Sequence, residues 1–286
     1  MEGKKRFLVW DLPVRLFHWL LVVCFAVAAY IAFIYGDHDT RFPYHAMLGV
    51  VIALMLVLRV IWGFVGTKYA RFNSFLHSPD KLFGYLKEVA TNSDNNYVGH
   101  NPGSSWAIYG MVICLFGLAI TGLLLGQGEK GVKDLHKLFA NAMLVLVAVH
   151  LLGILIHTIR KKEMIAASMV HGKKAIDEKD GISTAKSITG VAFLIVVFIW
   201  GYLIFASYDS VNYNFKIPVL GKTMQIKEAS KYRTGPGLEK SKADKGDNSD
   251  KGDNSDKDKK DKKDKSGKDK KDKKEGEEGK DHHDDD

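Results

Sequence analysis

Five times between Leu12 and Ser207 the chain drops any alternation of polar and apolar positions and runs almost wholly apolar. The runs are Leu12 to Tyr35, Pro43 to Val65, Trp106 to Gly126, Val132 to Ile159 and Ser187 to Ser207. A hydrocarbon core about 30 Å thick needs about 20 helical residues at about 1.5 Å each, so every run predicts a membrane span. The first run is too long for the apolar core of a cleavable signal, and no small-residue cleavage site follows it. It is expected to remain as an anchor.

From Tyr208 onward the pattern inverts. "KGDNSD" occurs twice in succession from Lys245 to Asp256 and is followed by "KDKKDKKDKSGKDKKDKK", with almost nothing apolar to bury. Such a segment is expected to be disordered. The intervening "VNYNFKIPVLGKTMQIKEASKYRTGPG" is read as a short ordered or partner-binding piece, and the closing "DHHDDD" as a solvated end rather than a weak divalent-cation site. A mean hydropathy of -0.09 and 46% hydrophobic residues therefore average two unlike parts.

Charge orients the spans. The stretch from Tyr208 holds 21 Lys and Arg against 20 Asp and Glu, so nearly all of the net +8 belongs to the apolar part. It gathers in alternate connections: Lys4, Lys5 and Arg6 at the start; Lys68, Arg71, Lys81 and Lys87 between spans two and three; and seven cations from Arg160 to Lys186. The opposite side has Arg41, Lys130 and Lys133. The positive-inside rule then predicts a cytoplasmic N-terminus and, after five crossings, a periplasmic tail. This bias explains the basicity without nucleic acid as a partner.

Cys24 and Cys114 fall inside spans, where a thiol behaves as a small apolar group. There is no C-x-x-C-H for covalent haem attachment, and no P-loop, G-x-S-x-G or H-E-x-x-H motif.

The histidines carry the candidate chemistry. His18 lies about one and a half turns inside the cytoplasmic end of the first span, and His45 within a turn of the outer end of the second. In the fourth span His136 is near the outer end and His150 toward the cytoplasmic half. Their separation of 14 residues leaves them about 40° apart around one helix and about 21 Å apart along it. The depths pair His45 with His136 and His18 with His150. Two bis-imidazole sites stacked across a bilayer are what two b-type haems need, each held edge-on between facing helices. Proton relays and metal transporters also use intramembrane histidines, and stay open at this point.

At these residues the chain resembles a known family. The segments "VWDLPVRLFHWLL", "YHAMLGVVIALMLVLRVIWGFVG", "GHNPGSSWAIYGMVICLFGLAITGLLL" and "DLHKLFANAMLVLVAVH" resemble the bacterial cytochrome b561 superfamily. The likeness is to the di-haem cytochrome b subunits of nickel–iron hydrogenases and formate dehydrogenases, and covers about Phe7 to Lys174. It implies a four-helix di-haem core in residues 1–174; with the runs beyond it, the chain is expected to be an all-α integral membrane bundle with a basic loop and fifth transmembrane helix in 175–208 and a charged, largely disordered tail in 209–286. The resemblance also implies His18 and His150 as axial ligands of a cytoplasmic-side haem, and His45 and His136 as those of an outer haem.

Further roles follow, the first from the resemblance and the others from position in the spans and loops. "NPG" is similar to a segment lining a quinone pocket in formate dehydrogenase cytochromes, which points to Asn101 and Gly103 beside His150; the same residues are equally good turn chemistry before a helix. Arg15 and Arg59 are expected toward the cytoplasmic side, facing haem propionates or snorkelling to headgroups. Arg41 and Lys133 are candidate counterparts outside. Gly49, Gly117, Gly122 and Gly153 allow close approach of a macrocycle or a helix. His157 reads as an interfacial residue, and His38, His77, His100 and His171 as solvated by default.

The expected function is electron transfer across the bacterial inner membrane between the quinone pool and an extracytoplasmic partner, either a periplasmic c-type cytochrome or a dehydrogenase or hydrogenase subunit. The chain would be an electron-transfer subunit rather than a complete enzyme. Two other readings compete: a free-standing quinone-linked oxidoreductase of a small species such as superoxide, and a haem-free proton- or metal-coupled transporter.

Overall fold

The computed structural model describes residues 5–91 and 97–226. All five expected spans are helices long and apolar enough to cross a membrane. They are α1 (Leu12–Tyr30, continued by a π-helical turn Ile31–Tyr35), α2 (Phe42–Val65), α4 (Pro102–Gly126), α5 (Lys133–Lys161) and α7 (Ser187–Ala206). Two shorter helices, α3 (Pro79–Thr91) and α6 (Ile165–His171), lie in the connections. The molecule is an all-α, multi-pass membrane helix bundle.

Local chemistry sets the helix ends. The Asp11 carboxylate accepts from the Val14 amide at 2.9 Å and caps α1, while Pro13 occupies its first turn, where a missing N–H costs nothing. Asn101 does the same for α4, accepting from the Ser104 amide at 2.7 Å with Pro102 following it. That cap starts the third span at Pro102, four residues before its apolar run begins at Trp106. Gly36, with φ of 73°, ends the extension of α1, and Gly172, with φ of 81°, ends α6.

The helices are joined by two apolar clusters. In one, Ile52 and Leu56 of α2, Cys114 and Leu115 of α4 and Met143 of α5 are buried, with Leu21, Cys24 and Phe25 of α1 packed against them. In the other, Met47, Val50, Val51 and Met55 of α2 meet Val197 and Ile204 of α7. Much of the remaining apolar surface faces outward, Val23, Phe64, Ile113, Val145 and Phe198 among it, as expected of helices that meet lipid.

Two short β pairs close the ends. At one end β1 (Arg6–Leu8) pairs antiparallel with β2 (Lys173–Ala175), bringing part of the basic loop back to the N-terminus. Lys174 is buried there, its Nζ donating to the Tyr97 and Val98 carbonyls at 2.9 and 2.8 Å, and burial lowers its pKa. At the other end β3 (Asn214–Lys216) and β4 (Thr223–Gln225) form a hairpin whose Phe215, Ile217, Met224 and Ile226 enter the α2–α7 cluster.

The hairpin corrects one boundary. Residues 209–226, grouped by composition with the charged tail, are a folded cap on the bundle; the tail beyond, from residue 227, lies outside the described residues. Sparse but alternating apolar positions are enough here, because the helix ends supply the surface that they cover. Phe215 is 0% exposed, so Phe215→Ala is expected to destabilise the cap by about 3–5 kcal/mol. Limited proteolysis should then cut between residues 209 and 226 in the variant under conditions that leave the parent chain intact.

Candidate cofactor-binding sites

The four intramembrane histidines fall into two groups on either side of the α1–α2–α4–α5 cluster. On α5, His136 precedes the cluster residues 139–147 and His150 follows them. His45 of α2 lies at the end that carries the hairpin, and His18 of α1 at the end that carries β1 and β2. An apolar layer thus separates two polar sites.

At the hairpin end the His45 and His136 rings have centroids 6.3 Å apart with planes at 81°. A metal–imidazole bond of about 2 Å on each side, plus about 1 Å from each nitrogen to its ring centre, puts two axial imidazoles about 6 Å apart. The spacing fits one iron between them. Hydrogen bonds also decide which nitrogen is left free. His45 Nδ1 is 2.9 Å from the Ala28 carbonyl, which can only accept, so Nδ1 holds the proton and Nε2 the lone pair. His136 Nδ1 is 2.8 Å from the Thr121 hydroxyl. Phe42 stacks on the His45 ring at 5.1 Å and 17°.

Two glycines lie beside this pair. Gly49 is four residues beyond His45, on the same helix face, and a Cβ there would meet no atom within 4 Å. At Gly122 a Cβ would lie 3.5 Å from His136 Cε1. Gly117 serves packing instead, lying against the Phe139 ring, and the position of Gly153 is open and exposed.

His18 and His150 are both half-buried and within electrostatic reach of each other. Among the described residues neither ring makes a hydrogen bond, so both nitrogens of each stay available to a ligand. Cations gather at this end. Arg59 is 8% exposed, lies 5.2 Å from the Phe72 ring centroid, and has a buried Nη1 without a hydrogen bond among the described residues. Arg15 donates through Nη2 to the Val170 carbonyl, while its buried Nε has no hydrogen-bond partner among the described residues. Unpaired buried guanidinium nitrogens are costly and suit a carboxylate-bearing group.

His100 departs from its expected solvated state. Its ring is wedged between Trp10 at 4.7 Å and Phe75 at 4.6 Å, and its buried Nδ1 has no hydrogen-bond partner among the described residues. Burial, assisted by Arg59, Lys174, His150 and His77, lowers its pKa to about 3 and keeps it neutral. The adjacent Asn101 uses its side-chain oxygen to cap α4, and a Cβ on Gly103 would strike the Tyr85 ring; both contacts belong to turn and packing chemistry. His77 donates to the His100 carbonyl at 3.3 Å.

At the hairpin end, the counterpart cations are already engaged. Arg41 forms a two-pronged contact with Asp39 at 2.8 and 3.0 Å and lies 3.5 Å over Tyr35, while Lys133 pairs with Asp37 at 2.6 Å. Sequence reasoning missed Asp11 and Thr121. The signal for Asp11 was a lone acid two residues before a proline at the head of a span; for Thr121 it was a hydroxyl in an otherwise apolar run, 15 residues before His136.

Comparison with known proteins matches the same region. Residues 9–172 match the model of the prokaryotic cytochrome b561 family. The chain is 24% identical over 217 residues to a protein of Bradyrhizobium diazoefficiens named as a probable Ni/Fe-hydrogenase B-type cytochrome subunit, covering 60% of this chain and 87% of that one. A protein of the same name from Rhizobium leguminosarum bv. viciae is 25% identical over 215 residues, covering 60% and 90%. A probable Ni/Fe-hydrogenase 1 B-type cytochrome subunit of Escherichia coli K12 is 28% identical over 138 residues, covering 41% and 59%. No solved structure matches the chain significantly. With more than half of its length matched, and with its paired imidazoles inside the matched region, the chain belongs to the prokaryotic cytochrome b561 family, membrane b-type cytochromes of electron transfer that hold haem b.

Proposed function

We propose that the chain carries electrons across the bacterial inner membrane between an extracytoplasmic redox partner and the quinone pool. His45 and His136 hold a haem b on the periplasmic side, and His18 and His150 hold a second toward the cytoplasm. Two bound haems supply one-electron redox chemistry at two depths. The protein's part is to fix the ligating nitrogens, exclude water with the apolar layer between the sites, and meet charge at the cytoplasmic end. The observation that carries the reading is the 6.3 Å separation of the His45 and His136 rings, with both Nδ1 atoms hydrogen-bonded.

Arg15 and Arg59 meet the propionates of the cytoplasmic-side haem. A quinone approaches the same end, where His100 offers a neutral ring nitrogen and Asn101 and Gly103 shape the entry to α4. The names of the relatives favour a hydrogenase as the partner. The basic connections support a cytoplasmic N-terminus and a periplasmic hairpin at the same end as the outer haem. The test is the purified full-length protein. A reversible b-type spectrum, two haems per chain and reduction of an added quinone analogue are expected; absence of bound haem would sink the reading, and one haem per chain would remove the transmembrane path.

A further inference from the structure

The two imidazoles at the hairpin end are held by unlike acceptors. His45 donates to the backbone carbonyl of Ala28, which no side-chain substitution removes. His136 meets the hydroxyl of Thr121, a residue 3% exposed in the middle of the bundle. The same hydroxyl oxygen is 2.5 Å from the Gly117 carbonyl and 3.4 Å from that of Leu118, and both of those oxygens can only accept. Threonine has one hydroxyl hydrogen, and the short contact to Gly117 takes it. The hydrogen between Thr121 and His136 must therefore come from His136 Nδ1, so Nε2 carries the lone pair.

We propose that Thr121 is a positioning and tuning residue for the His136 ligand, through a directed chain in which His136 Nδ1–H donates to Thr121 Oγ1 and Thr121 Oγ1–H donates to the Gly117 carbonyl. The proposal rests on the assignment of His45 and His136 to a haem. A hydroxyl whose own hydrogen is engaged is a better acceptor, because successive hydrogen bonds polarise one another. Pulling on Nδ1–H raises the donor strength of Nε2 and fixes the ring plane, as outer-shell partners of metal-bound histidines do. A stronger donor favours the oxidised iron, so Thr121 holds the potential of this site below the value it would have without the chain.

The test uses full-length protein in nanodiscs, with redox titration of Thr121→Val and Thr121→Ser beside the parent. Valine keeps the shape and removes the acceptor. With two haems retained, one of the two midpoints is expected to rise in Thr121→Val by a factor of ten or more in the oxidation equilibrium, about 59 mV for one electron, and the other to stay. Thr121→Ser restores the parent value. Loss of one haem in Thr121→Val, with two haems and parent midpoints in Thr121→Ser, supports the same role. Unchanged midpoints, equal shifts of both, loss of both haems, or a serine variant that behaves like valine would overturn the proposal while leaving the two-haem reading intact. A parent protein without haem would overturn both.

Discussion

Replacing His136 with alanine is expected to lower the haem content from two per chain to one. The substitution removes one of two rings 6.3 Å apart and leaves His45 with no imidazole opposite it. His150 lies about 21 Å further along α5, beyond the apolar layer built from Ile52, Leu56, Leu115 and Met143, so the second site should keep its ligands. Haem per protein, measured after extraction, and the number of one-electron steps in a redox titration should both fall from two to one. Loss of both haems, or of neither, would contradict two independent sites that share α5.

Asp11→Ala is expected to destabilise the bundle by about 3 kcal/mol or more. The Asp11 carboxylate is 1% exposed and accepts from the Val14 amide, from Trp62 Nε1 at 3.0 Å and from the Thr67 hydroxyl at 2.6 Å. Removing it loses a helix cap, about 1 kcal/mol, and strands an indole N–H and a hydroxyl inside the protein, at about 1–3 kcal/mol for such a group. It also takes a nearby anion away from the buried Arg59. Asp11→Asn, which keeps an oxygen for the cap, should lose less. Thermal unfolding in detergent reads both variants; an alanine variant within about 1 kcal/mol of the parent would show that the network does not anchor the start of α1 to the end of α2.

Much of the architecture was legible because the bilayer demands a continuous apolar run of nearly fixed length, and a run is a local property. The limits of α2 and α7 came within a residue of Pro43 to Val65 and Ser187 to Ser207 for that reason. The start of α4 was missed because Asn101 and Pro102 extend a helix by capping chemistry that hydropathy does not register. Where the hairpin lies the sequence showed only a short ordered or partner-binding piece, without its form, because Phe215 and Met224 are too few to make a core of their own; they count only when α2 and α7 stand behind them. His100 looked like a loop residue and is held between two aromatic rings 65 positions apart in the chain, Trp10 and Phe75.

The sequence by itself determined the number of crossings, the all-α class and the placing of four histidines at two depths, since each depends on helix rise and hydrophobic length alone. Only the tertiary structure decided which nitrogen of His45 and His136 is free, because that depends on Ala28 and Thr121, which reach the rings from helices α1 and α4. It also decided that Arg41 and Lys133 are engaged by aspartates while Arg59 Nη1 has no hydrogen-bond partner among the described residues. Hydrogen-bond direction and charge pairing are set by contacts between distant segments, and the spacing of residues along one helix carries no record of them.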